Sequence, residues 1–338
     1  MNIWYLPTSS IAGAAVQFPV GELFKEGGKI VAIGSWTFDG GNGSNDLFVI
    51  VTSKGEIAVY QGTDPASSST WGLVGVYAVP LPLGDRPLLD YGGDLLYLSR
   101  SGLFPISKLA QSILVERNRQ ISYKIDAAFL EVSDFYSANT GWQMFFHKTL
   151  NLLSVNIPVS NTISYQFVMN TITKAWCRFT GWNASCWAEY DGNLYFATGT
   201  KTCKAWTGTS DNGTPIQATI IQAYSRLGIA QQKYVTMARP NIQISGTVQL
   251  AVSIDTDFQT FSAKTNLSYT SALNSAVWDS GIWDTAVWDN SIVAMQSIWY
   301  TIPSMIGNLH SFRLQLTTSS STFEWTSTDV IYRPAGLI

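Results

Sequence analysis

The chain has 338 residues, of which 46% are hydrophobic and 13% charged, and a formal net charge of −3. That length exceeds one ordinary core and predicts one large β domain or two domains; the composition excludes disorder, and the near-neutral charge excludes the basic footprint a dedicated DNA-binding protein needs to neutralise phosphates. The 13 Trp, 15 Tyr and 16 Phe favour strands, because aromatic side chains suit a pleated, half-buried surface.

No stretch reaches the roughly 18 apolar residues of a spanning helix. The first cation is Lys25 and no long apolar run precedes it, so the start carries neither region of a secretory signal.

A short polar turn leading into a hydrophobic strand, a second turn and a return strand recurs four times. The first copy runs from Asp46 to Tyr60 with Ser53 to Glu56 as its loop, and the second from Gly93 to Phe104. The third is more degenerate: Trp142 to His147, a turn near Lys148 to Leu150, and a return through Leu152 to Val155. The fourth runs from Asp191 to Thr198 and returns through Thr202 to Trp206. The marks Asp46, Asp94, Trp142 and Asn193 stand 48, 48 and 51 residues apart. A step of about 50 residues is what a four-stranded propeller blade requires, and each interval has room for two more strands. About four blades fit before Pro215, which predicts a small ring or a partial one.

Between the second and third hairpins, Leu109, Ile113 and Leu114 follow helical spacing behind Ser107. One short inserted helix over 107–118 is predicted, with Ser107 as N-cap. Its basic end, Arg117, Arg119 and Lys124, would either touch a partner or nucleic acid, or simply oppose the helix dipole. Cys177, Cys186 and Cys203 lack zinc spacing, and neither His147 nor His310 lies near them in sequence. Buried thiols acting as small hydrophobes are the expectation.

The turn-rich run Gly208 to Pro215 predicts a linker between a blade domain, 1–207, and a C-terminal β-rich domain, 216–338. In the latter, Val248, Leu250, Val252 and Ile254, and again Phe312, Leu314 and Leu316, alternate with polar residues. Such alternation marks antiparallel strands with one wet face, so a sandwich-like domain is predicted. The fold class is therefore all-β: partial or closed propeller-like blades, then an antiparallel sandwich.

A tandem array, Val277-Trp278-Asp279, Ile282-Trp283-Asp284 and Val287-Trp288-Asp289, repeats every five residues. An odd period would throw successive Trp side chains onto opposite faces of a straight strand, so each unit is read as containing a turn. Internal packing, calcium binding, sugar stacking and a subunit contact compete for it.

Several segments carry a resemblance. They are Trp4-Tyr5-Leu6-Pro7, Phe18-Pro19-Val20-Gly21, Leu23-Phe24-Lys25, Gly28, Gly34, Trp36, and Val51 to Glu56. Val59 to Pro65 followed by Trp71 is the most specific, and the Trp-Asp array and the ending Tyr332 to Ile338 add to it. Together they resemble virion structural proteins of tailed phages, in particular tail hub or nozzle components of short-tailed phages. The resemblance implies a β-propeller platform in a closed homo-oligomeric ring, sixfold or of another order, around the tail axis. The implied partners are the adaptor or portal and fibre or spike proteins, with transient non-specific contact to the passing genome. The tail of the virion, assembled in the bacterial cytoplasm, is the implied location. Relatives of this type are longer at the N-terminus, which leaves two alternatives for the blade ring: closure within one chain, or completion by blades of another polypeptide.

No cofactor, metal or catalytic set is expected. Asp39, Asp90, Asp126, Asp134 and Glu189 are candidate acids for a glycosidase, yet nothing selects a pair. Neither a nucleophile elbow nor a zinc-protease motif is present, and Gly40 to Gly43 reads as a flexible loop between β segments. A carbohydrate- or receptor-binding module is the other rival.

Overall fold

The computed structural model describes residues 1–39, 44–110, 120–228, 230–270 and 294–335. The chain divides into two compact units, Met1–Ala205 and Trp206–Ile338.

The N-terminal unit opens with a hairpin, β1 (Asn2–Tyr5) and β2 (Val16–Pro19). Four antiparallel meander sheets follow. The first is β3 (Ile30–Asp39), β4 (Ser44–Thr52), β5 (Glu56–Gly62) and β6 (Trp71–Ala78), and the second is β7 (Leu88–Tyr91), β8 (Asp94–Ser99) and β9 (Gly102–Pro105). The helices α1 (Ile106–Leu109) and α2 (Asp126–Tyr136) come next. The third sheet is β10 (Gln143–His147), β11 (Leu152–Pro158), β12 (Ser164–Asn170) and β13 (Trp176–Thr180), and the fourth is β14 (Cys186–Tyr190), β15 (Asn193–Thr198) and β16 (Lys201–Lys204).

These sheets stack like propeller blades. The first strand of each touches the first strand of the next: β3 meets β7, β7 meets β10, and β10 meets β14. Strands in such a stack are buried on both faces, which is why they read as unbroken apolar runs. In the first sheet Val49, Val51, Ile57 and Val59 pack against Leu95, Tyr97 and Phe104 of the second. The alternate residues Ile50, Ala58 and Tyr60 pack against Val20, Phe24, Ile3 and Phe18 of the N-terminal segment. Leu96, Leu98 and Leu103 of the second sheet turn the other way, onto Met144, Leu153, Val155, Ile157, Phe167 and Met169 of the third. Each such fully buried side chain stabilises the stack by about 1.5–3 kcal/mol. Gly34 marks a close approach of the first two sheets, since a Cβ there would lie 3.1 Å from Leu88 Cδ1 and 3.3 Å from Leu95 Cδ2.

All four predicted hairpins are present, but they are not equivalent. Asp46, Asp94 and Asn193 lie in the second strands of their sheets, β4, β8 and β15, whereas Trp142 immediately precedes β10, a first strand. The even spacing of the third mark therefore reflects the inserted helical segment rather than a strict repeat.

A short inserted helix is present as Ile106–Leu109, but its N-cap is Pro105 rather than Ser107, and residues 111–118 of the predicted span lie outside the described residues. Ser107 sits inside the turn, where its amide and hydroxyl donate to the Asp94 carboxylate at 3.3 and 2.5 Å. The longer helix is α2, which buries Phe129, Val132 and Ser133 on one face. The indole N–H of Trp142 donates to the Tyr136 carbonyl at 2.9 Å and closes its last turn.

The C-terminal unit is a sandwich of two antiparallel sheets. One contains β17 (Ile216–Ile221), β19 (Thr247–Thr256), β20 (Lys264–Thr270) and β23 (His310–Thr318). The other centres on β18 (Lys233–Ser245), flanked by β21 (Ala294–Ser297) and β22 (Tyr300–Thr301) on one edge and β24 (Thr322–Pro334) on the other. Val235, Ala238, Ile242 and Ile244 of β18 share a core with the alternating residues of β19 and β23. Pro240 has no N–H to donate, and it falls in the gap between the residues that pair β22 and those that pair β21. Within 208–215, Asp211 and Thr214 exchange backbone hydrogen bonds at 2.9 Å and Thr209 Oγ1 donates to the Ser319 carbonyl at 3.1 Å. This stretch is thus a tight turn fastened to the C-terminal unit.

Candidate functional site

The residues singled out from the sequence as interaction candidates, Arg117, Arg119, Trp278, Asp279, Trp283, Asp284, Trp288 and Asp289, lie outside the described residues, as does the Gly40 to Gly43 loop. The described residues instead offer the joints between blades and a set of exposed strand edges and side chains.

The joint at the leading end gathers several of the residues that carry the phage resemblance. Tyr60 and Trp71 stack with centroids 5.3 Å apart, and Phe18 meets them edge-on at 5.5 and 6.3 Å. The Glu56 carboxylate accepts the backbone N–H groups of Lys25 and Glu26, both at 3.1 Å, so the Ser53–Glu56 loop fastens the N-terminal segment. Gly62 has φ +135°, and a Cβ there would lie 1.8 Å from the Thr70 carbonyl oxygen, so only glycine fits. Asp64 Oδ1 accepts the Ala66 N–H at 2.9 Å, forming the turn around Pro65. Phe18, Phe24, Glu56, Tyr60, Gly62 and Trp71 are therefore parts of one joint, whereas Gly34, Trp36, Val51 and Val59 face the second sheet.

The joint between the third and fourth sheets is different, because its centre is polar. Asn156 and Gln166 are fully buried and face each other across β11 and β12. Gln166 Nε2 donates to Asn156 Oδ1 at 2.9 Å and to the Trp182 carbonyl at 2.9 Å. Asn156 Nδ2 donates to the carbonyls of Gly141 and Ala184, at 2.9 and 3.2 Å, and Trp187 Nε1 donates to Asn156 Oδ1 at 3.1 Å. Beside this network the Gln143 amide pairs with the backbone of Trp187, donating to its carbonyl at 2.9 Å and accepting its N–H at 3.0 Å. That side chain imitates a neighbouring strand and clamps β10 to β14. Phe145 and Trp187 stack at 4.1 Å over it. Sequence reasoning missed these residues, since polar positions alternating with Leu153, Val155 and Ile157 read as a wet face.

Edges matter as well as faces, since an uncovered strand edge is a template for another chain. The edge of β9 is covered, because the Ile121 N–H donates to the Leu103 carbonyl at 2.8 Å. Arg178 on β13, and Lys201 and Lys204 on β16, place charge on two other outer strands. The eight residues of β6 carry no charge, and Leu73, Val74 and Val76 are exposed.

The candidate acids do not assemble. Asp90, Asp134 and Glu189 are exposed on β7, α2 and β14, and Asp126 accepts a hydrogen bond from Gln120 Nε2 at 2.8 Å. Asp39 ends β3. Among the described residues no group of three His, Cys, Asp or Glu could hold a metal ion, and no helix is long and apolar enough to cross a membrane. The cysteines correct an expectation: all three are free, Cys177 is exposed, and Cys186 and Cys203 are half-buried. The Cys177 thiol turns onto the Val168 carbonyl at 3.5 Å, and this partial enclosure raises its pKa.

No family model and no curated protein sequence matches the chain. Among solved structures, it is similar to a glycoside hydrolase family 43 arabinoxylan arabinofuranohydrolase from Bacillus subtilis in complex with cellotetraose, at 8% identity and a TM-score of 0.25. That match covers 89% of this chain and 79% of the other.

Proposed function

We propose that this chain is a structural component of a phage tail, of the hub or nozzle type, that forms an oligomeric ring around the DNA channel and a platform for other tail proteins. The observation that supports the reading is the leading joint, where Phe18, Val20, Phe24, Tyr60 and Trp71, all from segments resembling phage tail proteins, pack together. In this reading the protein works by assembly rather than catalysis, which is consistent with candidate acids dispersed over separate elements.

The low charge suits a conduit. Each phosphate neutralised by a wall cation adds salt-dependent affinity and would slow passage, so a wall near neutrality lets the genome slide. Adaptor or portal on one side and fibre or spike on the other are the proposed partners, and the virion tail the proposed location.

Sedimentation velocity of the purified full chain tests the assembly claim. A closed homo-oligomer of one size is expected; a monomer at every concentration, with or without the adaptor, would overturn it.

A further inference from the structure

We infer that the open face of the fourth sheet is the docking surface for the N-terminal hairpin of a second copy of this chain, so that the blade stack continues from one copy into the next. The inference rests on the assembly reading above and names the faces that assembly would use.

Within the N-terminal unit, both faces of the first three sheets are covered by neighbouring elements of that unit. The fourth is covered on one side, where Trp187 and Phe196 turn toward the third sheet, with Phe145 and Trp182 against them. On its other side the register brings together Ala188, Tyr190, Tyr195 and Lys204. Tyr190 is 76% exposed. At the opposite end the hairpin β1–β2 lies on the first sheet where a preceding blade would lie, using Ile3 and Phe18. Its outward face presents Trp4, paired with Gln17 and 62% exposed.

Continuity with the joints already formed selects the occupant. Each joint sets the trailing face of one sheet on the leading face of the next, with first strands side by side. Repeating that operation beyond the fourth sheet brings up a leading face, and the hairpin presents the leading face of this unit. A twofold contact of the fourth sheet with its own copy would reverse the order. An aromatic pair at the centre of the contact is in keeping with the composition of a specific interface. Because the contact is head-to-tail, it closes into a ring or grows into a filament according to the rotation per copy.

The test uses the full chain with Cys177, Cys186 and Cys203 changed to Ser, and adds Trp4→Cys to one preparation and Tyr190→Cys to another. With a short bismaleimide, a covalent dimer is expected when the two are mixed and neither alone should yield it. Cross-linking of Tyr190→Cys to itself, or no mixed product, would overturn the inference. In the otherwise native chain, Trp4→Ala and Tyr190→Glu, both at exposed positions, should each abolish the oligomer while leaving the circular dichroism spectrum unchanged. If the oligomer persists in both, the faces are wrongly assigned and the assembly reading stands; if the unaltered chain never oligomerises, both fail.

Discussion

The two units bury polar groups in opposite ways. In the N-terminal unit the buried polar side chains are neutral, including Asn156, Gln166, Ser154 and Ser164, with Glu56 the one buried charge among the described residues. In the C-terminal unit Lys233, Asp255 and His310 are all buried. Arg313 meets Asp255 at 3.1 Å and also donates to Ser253 Oγ and the Phe261 carbonyl, at 3.0 and 2.6 Å. His310 hydrogen-bonds Thr256 Oγ1 and the Gly307 carbonyl, both at 3.2 Å. A neutral network fixes register without depending on proton concentration, whereas a core holding titratable groups makes stability a function of pH. The sandwich, which buries more titratable groups, is therefore the more pH-responsive part.

The largest expected effect tests the charged core. Arg313→Met leaves the Asp255 carboxylate buried without its cation and should destabilise the C-terminal unit by about 3–5 kcal/mol. Chemical denaturation followed by hydrogen exchange in each unit would read it. The added change Asp255→Asn should restore much of the loss, and failure to do so would mean that packing, not charge, dominates there.

Next in size is the neutral network. Asn156→Ala strands the Trp187 indole N–H and the Gly141 carbonyl, and should cost about 2–3 kcal/mol in the N-terminal unit. A double-mutant cycle with Gln166→Ala should show coupling of at least about 0.5 kcal/mol. Independent effects would remove the claim that the two act as one network.

Acidification should separate the units. Burial holds the His310 pKa below its ordinary value of 6.5, Lys233 opposes its protonation and Asp257 favours it. A base with a depressed folded pKa takes up its proton more readily when unfolded, so stability falls as pH drops through the unfolded value. Between about pH 8 and about pH 5 the C-terminal unit should lose exchange protection while the stack keeps it, and His310→Asn should flatten the response. Equal loss in both units would contradict the comparison.

The smallest effect is the most discriminating. Ser154 Oγ is buried without a protein hydrogen-bond partner on the same face as Asn156. Ser154→Ala should therefore be neutral or raise the melting temperature slightly, and a large loss would show that the hydroxyl is satisfied after all.

The all-β class and the hairpins were legible because runs such as Phe48-Val49-Ile50-Val51 and Leu95-Leu96-Tyr97-Leu98 are too apolar for anything but doubly buried strands. The sandwich strands β19 and β23 were legible from strict alternation. Helix α2 was not, because half-buried Leu130 and exposed Phe135 add apolar residues off the buried stripe of Phe129 and Val132 and blur its period. The polar joint was hidden for a related reason: Ser154 and Asn156 alternate with apolar residues just as solvated positions do, and only the neighbouring sheet makes them interior. Exposed Trp4 and Tyr190 carried no periodic signal, since single surface aromatics are ordinary until a face is seen to lack a partner.

Imaging of intact particles at a resolution that places this chain tests the central claim most directly. The account predicts its mass as a closed ring encircling the tail axis, with the fourth sheet of each copy against the hairpin of the next. Mass lying off the axis as separate single copies, or absent from the tail, would contradict it.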